Sequence, residues 1–215
     1  MMKALFVHGL NSDENSTTGK LVKNILADFN IEVLTETFDL LNPHSSIEKI
    51  DNLVSDVDMI IGHSLGGFYV LFETTSVPKI VINPCMFPSI EIPKLTTISD
   101  DLIKKWERME KFYLHHIDAE MRSCIFGIFA KNDELFSHID AFKEFYGKTN
   151  AGMLHYDLVE GNHRLTKDEL EMPLVKAVSY FKNLTKQGLS LFNVSLFNAL
   201  KLFASGRCGP AFEAR

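Results

Sequence analysis

Short apolar runs alternate with longer stretches of helical periodicity along this chain. Residues 3–7 (KALFV) are a continuous apolar run that stops at His8 and Gly9, which reads as a buried strand. Residues 11–19 are rich in Asn, Ser, Asp, Thr and Gly and read as a loop. Residues 20–29 then place Leu21, Ile25, Leu26 and Phe29 at helical spacing. A second strand is predicted over 31–38. A helix follows the Asn42-Pro43 break, capped by Ser45 or Ser46 and running to about Ser55. Residues 57–62 predict a third strand and 66–75 a helix with Phe68, Leu71 and Phe72 inward. Residues 79–83 predict a fourth strand closed by Pro84, and 124–130 a fifth. A helix over 139–146, a sixth strand over 153–159 and a helix over 170–184, with Pro173 in its first turn, complete the series.

Strand and helix thus alternate about six times, and the strands are continuously apolar rather than alternating. That combination predicts an α/β architecture, a mostly parallel six-stranded sheet with helices on both faces. Two segments stand outside it. Residues 85–122 separate the fourth and fifth strands and carry Leu102, Trp106, Met109 and Tyr113 at helical spacing behind Ser99. They read as a lid insertion or as an ordinary crossover helix. Residues 187–215 are an apolar, then Gly- and Pro-containing tail. Phe192, Leu196, Leu200 and Phe203 share one helical face there. A single domain is therefore assigned to residues 1–186, with 187–215 as a tail.

Composition narrows the classes. The chain has 215 residues, 46% hydrophobic and 23% charged, with a net charge of −6. That is ordinary globular composition, and the chain contains no basic run or stripe for nucleic acid. No apolar run approaches a membrane span, and the apolar stretch at the N-terminus is too short for a signal peptide. Cys85, Cys124 and Cys208 are odd in number and match neither a zinc site nor a redox pair. They are expected to be reduced thiols in a cytoplasmic protein.

The sharpest chemical feature is Gly62-His63-Ser64-Leu65-Gly66-Gly67. G-x-S-x-G alone is a weak signal. Here it directly follows a predicted strand and precedes a predicted helix, the context of a nucleophile elbow. The serine must sit on a strained turn, and Gly62 and Gly66 relieve the crowding that side chains would cause. The helix that follows leaves the Leu65 N–H free to bind an oxyanion. A glycine-rich turn without chemistry is the plain alternative.

A serine needs a base, and this topology places it on a loop after the last strand. His163 in Gly161-Asn162-His163-Arg164 meets that condition. The acid is expected after the fifth strand, where Asp133 is preferred over its neighbour Glu134. The second oxyanion donor comes from the loop after the first strand. Gly9 lets the backbone approach there, and the Leu10 N–H is the donor, with Asn11 behind it. His8 is expected to orient that loop, and His63 to pack beneath the elbow. Met86 and Phe87, after the fourth strand, join Trp106 as candidates for an apolar substrate pocket. The remaining histidines, at 44, 115, 116, 138 and 155, share no ligand spacing, so no metal is expected. No phosphate-binding loop or dinucleotide fingerprint occurs, and no cofactor is expected.

Five stretches carry a family resemblance: VHGLNS over 7–12, GHSLGG over 62–67, VINP over 81–84, KNDE over 131–134 and EGNH over 160–163. With them the chain resembles the small bacterial α/β-hydrolases of the YqiA/YcfP type over about residues 3–184. The Asn-Pro of VINP is the most family-specific of these. The resemblance implies a compact α/β-hydrolase with strand order 2-1-3-4-5-6. It also implies Ser64, Asp133 and His163 as a catalytic triad. The expected activity is hydrolysis of small acyl esters or thioesters. The alternatives are an inactive binding protein on the same scaffold, or an acyltransferase or peptidase using the same triad.

Overall fold

In the computed structural model, residues 1–116, 122, 124–146 and 155–186 are described. The tail over 187–215 lies outside the described residues, as do 117–121 of the insertion and the first residues of the predicted sixth strand.

Six strands form one sheet: β1 (Met2–Val7), β2 (Ile31–Thr35), β3 (Met59–His63), β4 (Lys79–Ile82), β5 (Ile125–Ala130) and β6 (Tyr156–Val159). Their order is β2-β1-β3-β4-β5-β6, and every pairing is parallel. The described helices are α1 (Thr17–Ala27), α2 (Pro43–Val54), α3 (Leu65–Phe72), α4 (Pro88–Glu91), α5 (Asp100–His116), α6 (Ile139–Tyr146) and α7 (Lys167–Lys186). None of them is long and apolar enough to cross a membrane.

The period of two along each strand sorts the core into two layers. Ala4, Phe6, Ile61, Ile80, Ile82 and Ile128 face α1 and α7, meeting Ile25, Leu26, Leu174 and Phe181. Leu5, Val7, Ile60, Val81 and Phe129 face the other way, toward Ile50, Phe68, Trp106 and Phe142. Both faces are covered, which is why the strands read as unbroken apolar runs. Helix α3 runs through the centre and is buried on almost every side.

Element ends depart from the sequence reading for local reasons. Ser16, not a later residue, caps α1, its Oγ accepting the Gly19 N–H at 3.1 Å. The helix ends at Ala27, where the chain turns through left-handed Asn30 at φ 58°, and Phe29 is left 39% exposed rather than on the buried stripe. Asn42 caps α2, with Pro43 in the first turn. Strand β2 stops at Thr35, three residues early, because the Phe38 N–H turns inward to His8 Nε2 at 2.9 Å. Helix α3 ends at Phe72, since Glu73 is extended and its buried carboxylate accepts the Thr75 N–H at 2.9 Å. Helix α7 starts at Lys167, where Glu169 reaches back to the Thr166 N–H at 2.7 Å. Pro173 consequently lies inside the helix and not in its first turn, so the Glu169 carbonyl loses its usual N–H partner.

Candidate active site

The carboxyl ends of β1, β3, β4, β5 and β6 converge, and the chemistry-bearing residues sit on the turns that leave them. Ser64 joins β3 to α3 with φ 57° and ψ −125°, a conformation that costs a non-glycine residue about 1–3 kcal/mol. Hydrogen bonds over-determine it. Its N–H donates to the Ile82 carbonyl at 3.1 Å, and its carbonyl accepts the Gly67 and Cys85 N–H groups, each at 2.9 Å. Gly66 is required beside it, because a Cβ there would fall on the carbonyl oxygens of Val7 and His8. Leu65 opens α3, so its N–H has no intrahelical acceptor.

The loop after β1 comes close to this turn. A Cβ on Gly9 would lie 3.0 Å from Ser64 Cβ and 3.4 Å from its Oγ. Leu10 follows, half-buried against the core. The loop is steered by His8. Its Nε2 accepts the Phe38 N–H, which leaves the proton on Nδ1 to donate to the Gly9 carbonyl at 2.8 Å. Burial lowers the His8 pKa, in keeping with this neutral state.

His163 and Asp133 meet at the far side. His163 Nδ1 lies 2.9 Å from Asp133 Oδ2 and 3.1 Å from Oδ1, and both side chains are almost fully buried. Asp133 Oδ1 also accepts the Leu135 and Phe136 N–H groups, each at 2.9 Å. Burial pushes the Asp133 carboxyl up, but these hydrogen bonds outweigh it and hold the group below its ordinary value. The carboxylate is thus ionised at neutral pH and fixed from two sides. Glu134, the competing acid, does not reach the ring; its Oε2 accepts the His163 backbone N–H at 2.9 Å. Phe136 packs edge-on against the imidazole, with ring centroids 5.1 Å apart and planes at 82°.

His63 does not pack beneath the turn, as the sequence reading expected. Its ring lies beside that of His163, with centroids 5.0 Å apart, and its Nε2 is 3.2 Å from the His163 carbonyl. A carbonyl only accepts, so Nε2 carries the proton. Burial, then the neighbouring His163, lowers the His63 pKa to about 4. His63 is therefore a neutral donor, bonded to the backbone of the base and packed beside its ring. Among the described residues no hydrogen bond joins the Ser64 hydroxyl to the His163 ring. Serine–histidine contacts of this kind commonly tighten only with substrate bound.

The predicted pocket residues separate. Met86 is buried and Phe87 half-buried on the segment after β4. Trp106 is fully buried between α5 and α3, its indole N–H donating to Tyr69 Oη at 3.3 Å. The Met86 segment is held by His138, whose Nδ1 accepts the Met86 N–H at 3.0 Å. The Pro84 carbonyl lies 3.2 Å from the same nitrogen, but with that nitrogen accepting, the contact is not a hydrogen bond. His138 also stacks on Phe136 at 12° and meets the Phe87 ring edge-on. No sequence signal marked His138. Glu110 was legible in principle, as a carboxylate one turn after Trp106 on the apolar stripe of α5. Its two oxygens accept the Ser89 N–H at 2.8 Å and the Ser89 hydroxyl at 2.7 Å, tying α5 to α4. Among the described residues, no group of three or more His, Cys, Asp or Glu is placed to hold a metal ion.

A parallel sheet in this order, with a left-handed serine between its third strand and the central helix, defines the α/β-hydrolase fold. The chain belongs to UPF0227, an uncharacterised protein family, which it matches over residues 3–147. The matched segment includes Ser64 and Asp133 and ends before His163. Solved structures agree on the fold. The esterase domain of a Rhodothermus marinus protein superposes with a TM-score of 0.61 at 15% identity, covering 83% of this chain and 86% of that one. Est1E from Butyrivibrio proteoclasticus gives 0.57 at 13% identity, covering 83% and 88%. The ydeN gene product from B. subtilis gives 0.57 at 15%, covering 85% and 100%. At such identities the likeness speaks for the fold alone.

Proposed function

We propose that this protein is a serine hydrolase that cleaves small acyl esters or thioesters through an acyl-enzyme. The observation that carries the reading is the buried His163–Asp133 pair at 2.9 Å, its imidazole 5.0 Å from the ring of His63, the residue before a serine held in a left-handed turn at a helix N-terminus. Support also comes from esterases among the structures of like fold.

In the proposed cycle Ser64 Oγ attacks the acyl carbon as its proton passes to His163 Nε2. Asp133 keeps the other ring proton on Nδ1 and offsets the charge of the imidazolium. The Leu65 and Leu10 N–H groups hold the tetrahedral oxyanion, each worth about 3 kcal/mol of barrier. His163 then protonates the leaving alkoxide or thiolate, and the acyl group remains on Ser64. Water, deprotonated by His163, attacks the acyl-enzyme and releases the acid. No cofactor enters this cycle. Met86 and Phe87 line the acyl side in this reading, and Trp106 supports α5 from the core through Tyr69. Cys85 and Cys124 are buried and form no disulfide, which suits the cytoplasm.

The test is hydrolysis of p-nitrophenyl esters and acyl thioesters of increasing chain length, with Ser64→Ala and His163→Ala alongside. Turnover by the native chain that both variants lose supports the reading. Turnover that survives in either variant would sink it.

A further inference from the structure

Asn83 directly follows β4 with φ 43°, left-handed backbone that Asn tolerates better than most residues, and it is only 2% exposed. Its three polar groups reach two parts of the site, β5 and the loop that carries His163. Its backbone N–H donates to the Ile128 carbonyl on β5 at 2.9 Å. Its Oδ1 accepts the Ala130 N–H at 2.7 Å, at the end of β5, three residues before Asp133. Its Nδ2 donates to the carbonyl of His163 at 2.9 Å, with the Asn162 carbonyl at 3.4 Å. The next two residues pack on the serine turn. Pro84 lies against Gly67, and the Cys85 N–H donates to the Ser64 carbonyl at 2.9 Å.

One amide therefore spans the strand that leads to the acid and the loop that carries the base, from a segment bonded to the serine turn. The chemistry at 83 is specific. One end must accept from an N–H and the other must donate to a carbonyl, at the reach of a single methylene. Asp offers two acceptors, Ser and Thr are too short to span both, and Gln is one methylene too long.

We infer that Asn83 is a positioning residue, fixing the separation between His163 and Asp133 through the His163 carbonyl and the Ala130 N–H. The inference rests on the hydrolase reading for its effect on rate, but its geometric content does not. The base approaches its acid from a loop containing Gly161, whose φ is 140°. Without the amide, His63 and Glu134 remain as the side chains holding the backbone of that loop at His163. Misplacement by about 1 Å costs about 100-fold in rate where geometry is tight.

Two variants of the full chain test this. Asn83→Gly keeps the left-handed backbone and removes the amide. Asn83→Asp keeps the acceptor for Ala130 and replaces the donor facing His163 with a second acceptor. Three readouts apply: kcat and KM for an ester, the effect of each variant in an Asp133→Asn background, and the downfield proton resonance of the His163 Nδ1–H. The expected result is a fall in kcat of about 10- to 100-fold with KM changed less than about threefold. That loss shrinks in the Asp133→Asn background, where no pair remains to be aligned. The downfield resonance broadens or disappears in both variants.

Wild-type kcat in either variant, or an unchanged resonance, overturns the inference. So does a loss that persists undiminished beside Asp133→Asn, or failure of both variants to fold, which would mark Asn83 as structural only. If the native chain turns over no ester at all, the hydrolase reading fails, and the resonance still decides on Asn83.

Discussion

Glu134 holds the backbone of His163 and not its ring: Oε2 accepts the N–H at 2.9 Å, while Asp133 alone meets Nδ1. Two adjacent carboxylates thus divide the work of placing one residue. Replacing Asp133 with Asn leaves the shape but offers an amide to a ring that needs an acceptor. The expected loss in kcat is roughly 10³- to 10⁴-fold. Glu134→Gln keeps an acceptor oxygen for the same N–H, and its loss should stay below about 10-fold. Steady-state kinetics on one ester distinguish the two. Equal losses would mean that the acid is not assigned to Asp133 alone.

Gly9 and Gly66 should fail in different ways. A Cβ on Gly9 meets side chains, with Ser64 Cβ at 3.0 Å and Ser64 Oγ and His63 Nδ1 each at 3.4 Å. Gly9→Ala should fold with a melting temperature near that of the native chain, and should acylate at least about 10-fold more slowly. A Cβ on Gly66 meets the backbone of β1, which does not yield. Gly66→Ala should lose several kcal/mol of stability or fail to fold. Thermal melts and serine-labelling rates measured together separate blockage from unfolding.

Stability should fall between pH 6.5 and pH 4. The His63 pKa is lowered from its ordinary 6.5 to about 4 by burial and by His163. Below pH 6.5 the unfolded chain binds a proton at this imidazole that the folded chain refuses until about pH 4. The folded state is therefore favoured at neutral pH and loses roughly 3 kcal/mol as pH drops across that window. His8 and His155, also lowered by burial, act in the same direction. Urea unfolding at a series of pH values should show this slope, shallower in His63→Phe. An identical slope in the variant would show that His63 does not carry it.

Helix α5 should behave as part of the core and not as a freely opening flap. Trp106 is fully buried and bonded to Tyr69, and Glu110 takes both polar groups of Ser89. Burial raises the Glu110 pKa, and the two Ser89 hydrogen bonds oppose it. Trp106→Ala should cost about 3–5 kcal/mol through the cavity it leaves. Hydrogen exchange of the amides near Trp106 should approach the protection of the central strands. Fast exchange there in the native chain would restore the picture of a mobile lid.

Much of this architecture was legible because it depends on local rules. Continuous apolar runs mark strands buried on both faces, and the run-glycine-serine-glycine-helix sequence marks the turn at Ser64. The positions of Asp133 and His163 follow from which strand each one leaves. What was not legible depends on pairings across the sheet. His63 bonds to a residue 100 positions away, Asn83 to one 80 away and His138 to one 52 away. A single sequence marks such residues only as polar groups near strand ends. The early end of β2 has the same cause, since His8 captures the Phe38 N–H from 30 positions away, whereas α3 ends on a local contact, Glu73 accepting the Thr75 N–H.

The central claim is that Ser64 is an activated nucleophile. Intact-mass measurement after exposure to a fluorophosphonate, with Ser64→Ala in parallel, tests it most directly. The account predicts one covalent adduct on the native chain, mapped by peptide analysis to Ser64 and absent from the variant. No adduct under conditions that label a control esterase, or an equal adduct on Ser64→Ala, would contradict it.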